Sequence, residues 1–104
     1  MKKAEKDLGG MKFPALRAFM RSYLHQDFGE EYGSVGGAVK AFREDATNEE
    51  VVAVLKEWRE FLAVVHGKDL GEVNDLLAGK LGSAWRVGSV TELDGVTEAL
   101  EKTK

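Results

Sequence analysis

Between Thr47 and Gly67 the sequence TNEEVVAVLKEWREFLAVVHG carries its own start, period and stop. Thr47 followed three residues later by Glu50 is a capping box, in which the hydroxyl takes one free amide of the first turn and the carboxylate returns to the amide of the cap. Val51, Val54, Leu55, Trp58, Phe61, Leu62 and Val65 then recur at spacings of three and four, so one face of a helix is apolar throughout. His66-Gly67 ends the helix, because glycine takes the left-handed conformation that closes a last turn. On the outer face Lys56 and Glu60 stand four apart, a pair worth only about 0.2–0.5 kcal/mol. Most of the stability of such a helix comes from tertiary packing of its apolar face. The rest of the chain must therefore supply a cover for that stripe.

The cover reads as more helix. Pro14 suits a first helical position, where its missing amide proton has no partner to lose. Phe13, Leu16, Phe19, Met20, Tyr23 and Leu24 follow as one stripe, with Arg17 and Arg21 opposite. Ser34 can cap a short helix lined by Val35, Ala38, Val39 and Phe42, although Gly36 and Gly37 in its first turn each cost about 1 kcal/mol relative to alanine. Asp69 and Glu72 read as a second capping box, opening a helix with Leu70, Val73, Leu77 and Leu81 inward and Gly82 at its end. SAWRVGS is an irregular connector, and a last helix begins near Thr91 with Leu93, Val96 and Leu100 as its stripe. No alternating run of branched or aromatic residues argues for a strand. The expectation is an all-α fold: a single compact domain of about five short helices over 13–104, as a helical bundle or short helical stack, preceded by a flexible extension over 1–12.

Charge and composition narrow the function classes. The 104 residues include no cysteine, which removes disulfides, thiolate nucleophiles and zinc-thiolate sites together. No apolar run reaches the roughly 20 residues of a bilayer crossing, and Glu5 and Asp7 interrupt the start where a signal peptide needs its apolar core. A cytoplasmic protein without a membrane partner is expected. The net charge of -3 conceals a segregation: residues 1–24 carry a balance of plus four, and residues 27–50 a balance of minus five. An acidic segment repels phosphate, so direct nucleic-acid binding there is not expected, whereas a basic protein would be attracted.

The stretch YLHQDFGEEYGS at 23–34 has the residues of a site without the order of one. His25 and Asp27 could orient a general base, but no G-x-S-x-G nucleophile motif accompanies them. With Glu30 and Glu31 they match neither H-E-x-x-H nor the spaced oxygen ligands of an EF-hand, so no metal and no cofactor is assigned. GSVGGAVK lacks the order of a phosphate-binding loop. His66 falls at a helix C-terminus, where the dipole favours an imidazolium, and is read as structural. Trp58 is core by its place in the stripe. Trp85, in the connector, is either core or, if exposed, an interface anchor.

Taken together, Y-L-H-Q-D-F, then E-Y-G-S, a short helix ending in A-F, and T-x-E-E leading to L-x-E-W resemble the CdiI-type immunity proteins of bacterial contact-dependent growth inhibition systems. The landmarks are Tyr23, His25, Gln26, Asp27 and Phe28, and Tyr32, Gly33 and Ser34. More loosely, Leu81-Gly82, an aromatic and a final helix resemble the family's closing element. The resemblance implies a cytoplasmic protein that catalyses nothing and neutralises the C-terminal toxin domain of a surface-delivered effector, frequently a nuclease, by binding it; a helical adaptor without a toxin partner is the alternative. A landmark shared among proteins that meet different toxins is expected to be structural. His25 and Asp27 should tie the first helix to the next turn through a buried hydrogen-bond set worth roughly 1–3 kcal/mol, with Phe28 and Tyr32 beneath. Glu30, Glu31, Glu44, Asp45, Glu49 and Glu50, with Trp85, are the candidate toxin contacts.

Overall fold

The computed structural model describes residues 13–101, so the extension expected at 1–12 lies outside the described residues. Within them six helices follow one another: α1 Pro14–Tyr23, α2 Phe28–Tyr32, α3 Val35–Asp45, α4 Asn48–Val65, α5 Leu70–Gly79 and α6 Val90–Glu101. Five are those the apolar spacing predicts. The addition is α2, barely more than one turn, too short for a periodic stripe to announce it. No strand occurs among the described residues, and the fold is all-α.

The helix that dictates the rest, α4, forms as its sequence requires. The Thr47 hydroxyl accepts from the Glu50 amide at 3.1 Å, and the Glu50 carboxylate accepts from the Thr47 amide at 2.9 Å. At the other end Gly67 takes φ +88°. Val54, Trp58, Phe61 and Val65 are buried, and α1, α3 and α6 close over them. Phe13 meets Phe61 edge-on at 6.1 Å, and Trp58 stacks on Phe61 at 5.7 Å. The Trp58 indole N–H donates to Thr97 Oγ1 at 2.8 Å, so the one polar atom of this large buried ring has a partner. Arg59 of α4 also pairs with Glu101 of α6.

Two contacts bridge elements where the local sequence gives no warning. Phe13 precedes α1 in a left-handed conformation, φ +50°, without a side-chain cap; instead Glu57 of α4 accepts from the Leu16 amide at 2.8 Å. A carboxylate at a helix N-terminus meets both a free N–H and the positive end of the dipole. Asn74, buried on α5, accepts from the Val87 amide at 2.7 Å and donates to the Val87 carbonyl at 3.0 Å. That paired bond satisfies both backbone groups of Val87, as a neighbouring strand would. The connector holds no helix or strand, as expected, yet its residues alternate: Ser83, Trp85 and Val87 are buried, Ala84 and Arg86 exposed, and the Ala84 amide donates to the Leu24 carbonyl at 2.8 Å. The helix expected to run to Leu81 ends at Gly79, and Leu81 is buried beyond it. Asp69 caps α5 by accepting from the Glu72 amide at 2.9 Å.

Candidate functional site

Aromatic rings lead from the core to the surface where α1, α2 and α3 meet. Phe19 and Phe42, both buried, lie 4.9 Å apart between ring centroids. Tyr23 stacks on Phe19 at 5.8 Å, and Tyr32 stacks on the other side of the series, 5.7 Å from Tyr23. His25 is 6.5 Å from Tyr32 and closes the row. Both tyrosines are half-buried, with their bodies against apolar residues and their polar ends toward water.

Carboxylates gather at those polar ends. The Tyr23 hydroxyl donates to Asp45 Oδ2 at 2.9 Å. Its phenol is pushed up to about 12, first by burial, then by the bond to Asp45 and the negative charges of Asp45 and Glu50. Tyr32 is also raised, by burial and then by Glu31, with Asp45 adding to the effect. Glu31, Asp45 and Glu50, from three different helices, therefore act on one tyrosine pair. Glu30, Glu44 and Glu49 stand beside them in sequence, and all six acids are exposed.

The helix ends sort these acids. Glu49 and Glu50 occupy the first turn of α4, where the dipole favours negative charge, and Glu30 and Glu31 hold the same place on the much shorter α2. Glu44 and Asp45 are the last two residues of α3, where it opposes them. Helix formation alone does not account for that second pair.

The H-Q-D and Y-G-S landmarks act as turn geometry. His25 Nδ1 accepts from the Asp27 amide at 3.1 Å, which places the proton on Nε2, and Nε2–H then donates to Glu31 at 2.9 Å. These bonds tie the turn after α1 to α2 rather than to α1 itself, they are half-exposed rather than buried as expected, and the Asp27 side chain makes no cap bond to α2. Asp27 takes part through its backbone carbonyl, which accepts from the Glu30 and Glu31 amides at 3.0 Å each. Phe28 packs against the core, and Gln26 is exposed in the turn. Gly33 takes φ +81°, and Ser34 caps α3 by accepting from the Gly37 amide at 3.0 Å. Gly37, which the sequence offers only as a weak helix residue, has a packing reason: a Cβ there would lie 2.1 Å from the Tyr32 carbonyl oxygen. Position 37 holds the tyrosine turn against α3.

Trp85 takes the core alternative. It is 6% exposed, with its ring 6.5 Å from Trp58. His66 is exposed at the end of α4. Among the described residues no group of three or more His, Asp or Glu side chains could hold a metal ion, and no helix is long and apolar enough to cross a membrane.

A small helical domain whose outstanding surface feature is an aromatic row ringed by carboxylates belongs, by class, with proteins that act through binding. A family model described as CdiI immunity protein matches residues 12–87, well over half of the chain and ending before α6. The chain belongs to the CdiI immunity protein family. It is similar to a chain of the crystal structure of the CdiA-CT/CdiI complex from Y. kristensenii 33638, at 25% sequence identity and a TM-score of 0.71, over 88% of this chain and 100% of that one. No curated protein matches it. Proteins of this family bind toxins, and this one is a toxin-neutralising immunity protein whose partner is a cognate toxin domain.

Proposed function

We propose that the protein neutralises its toxin by laying the acidic face around Tyr23 and Tyr32 over a basic functional surface of the toxin, in a non-covalent complex formed in the cytoplasm and without catalysing a reaction. The observation that carries this reading is the convergence of Glu31, Asp45 and Glu50 from three helices on one tyrosine pair. A toxin that cuts nucleic acid must offer cations to the phosphate backbone, and a nuclease is the toxin class such a face fits. Charge on both surfaces speeds encounter, while tight binding needs an aromatic centre that can be stripped of water. Tyr23 and Tyr32 supply that centre, and the acids supply the rim. Glu44 supports the assignment because a helix C-terminus is an unfavourable place for a carboxylate, and Asp45 beside it, although held by the Tyr23 hydroxyl, keeps capacity to accept from a partner. Glu30 and Glu49, exposed and one position before Glu31 and Glu50, are further candidates for contact. Trp85, being core, leaves the set of contacts.

The similar chain comes from a structure titled as a complex of CdiA-CT with CdiI, so a CdiA-CT toxin domain is the partner to test. Co-expression of the cognate CdiA-CT domain with this protein should restore growth, and calorimetry should give one-to-one binding that weakens as salt rises. Growth arrest undiminished by the protein would refute the reading.

A further inference from the structure

Beside the tyrosine pair, α1, the end of α3 and the start of α4 border an open hollow of about 330 Å³. It has room because Ala15, Ala18 and Ala53 are small; Phe19 and Phe42 add apolar lining, and Ser22, Asp45 and Glu50 are polar groups that line it. Cavities of about 150 Å³ already accept a benzene ring, so this space accommodates a longer side chain. We propose that the hollow is a receptor for one arginine side chain of the toxin, a proposal that rests on the immunity reading above.

The chemistry selects that occupant. A hollow that combines apolar lining with the polar Ser22 and Tyr23 and the two carboxylates fits a side chain whose stem is aliphatic and whose head is ionic. Two carboxylates from different helices require a cation, and a planar guanidinium with five donors can serve both at once, where an ammonium acts as a point charge. Each carboxylate already has a partner: Asp45 accepts from Tyr23, and Glu50 accepts from the Thr47 amide. Those bonds fix both groups in place before binding, and a carboxylate has capacity to accept further hydrogen bonds. Preorganised acceptors on rigid helix ends lower the ordering cost of association.

The test uses the full chain, labelled with nitrogen-15 and titrated with N-acetyl-arginine amide, N-acetyl-lysine amide and N-acetyl-citrulline amide. Citrulline keeps the shape of arginine and lacks its charge. Saturable shifts confined to the amides of Tyr23, Asp45, Glu50 and Ala53, at least tenfold weaker with lysine or citrulline, are expected. Equal binding of lysine or citrulline, shifts elsewhere, or none, would overturn the receptor. Asp45→Asn keeps an acceptor for Tyr23 and Glu50→Gln keeps the capping box, so each removes charge alone and should weaken arginine binding several-fold. With the cognate CdiA-CT domain, Ala18→Leu fills the hollow from an exposed helix position and should lower affinity at least tenfold. Wild-type affinity in Ala18→Leu would overturn the receptor and leave the immunity reading standing. A CdiA-CT domain that the unaltered protein does not bind would remove that reading itself.

Discussion

Trp58 and Trp85 lie 6.5 Å apart and are 0% and 6% exposed, whereas Tyr23 and Tyr32 lie 5.7 Å apart and are both half-buried. The tryptophan region meets its polar needs internally: the Trp58 indole bonds Thr97, and Asn74 pairs both ways with the backbone of Val87. The tyrosine region leaves its polar ends among exposed carboxylates, two of them set against a helix dipole. Similar rings thus serve unlike purposes. Satisfied polar atoms and full burial mark the region that holds the fold, and gathered charge on half-buried rings marks the region we propose is offered to a partner.

Substitutions should separate the two. Trp58→Ala is expected to have the largest effect, destabilising by about 3–5 kcal/mol in urea unfolding, because a fully buried ring leaves a cavity. A loss below about 1 kcal/mol would erase the contrast. Gly37→Ala comes next, at about 1–3 kcal/mol, since its methyl meets backbone rather than a movable side chain. Its neighbour sharpens the point: a Cβ at Gly36 meets only the Ser34 hydroxyl, at 3.8 Å, so Gly36→Ala should stabilise by up to about 1 kcal/mol. Two adjacent glycines should move the unfolding midpoint in opposite directions.

Tyr23→Phe should cost about 1 kcal/mol near neutral pH through loss of the Asp45 bond. Its effect should also depend on pH in a defined direction. In the folded protein the phenol holds its proton up to about 12, while in the unfolded chain it releases it near 10. Stability from this group is complete below pH 10 and lost as pH rises from about 10 to about 12. The difference between wild type and Tyr23→Phe should shrink across that window; a constant difference would show that the hydroxyl is not so held. The smallest change is expected from His25→Ala. With the ring 33% and the Glu31 side chain 54% exposed, the loss should be about 0.5 kcal/mol rather than that of a buried network, as read from the unfolding midpoint.

The legible parts of the fold are those encoded locally. The capping box of α4, proline at the start of α1 and the serine cap of α3 each use residues within a few positions, and each forms. Contacts across the chain were not legible. Glu57 reaches an amide 41 residues earlier, and nothing in L-K-E-W distinguishes it from a surface acid. Asn74 stands beside Val73 on an inward face; a polar residue at such a position is the one signal that a connector needed pairing. Of the site, the acids and aromatics could be named in advance, but their meeting at one tyrosine pair depends on how α1, α2 and α3 turn.

The most direct test is calorimetric titration of the cognate CdiA-CT domain with wild type and with a Glu31→Gln, Asp45→Asn, Glu50→Gln variant, at low and moderate salt, alongside urea unfolding of each protein. Affinity at least a hundredfold weaker, a flattened salt dependence and an unfolding midpoint close to wild type would place recognition on the tyrosine face. Undiminished affinity in the variant would contradict the account, and the contact surface would have to be sought elsewhere on the molecule.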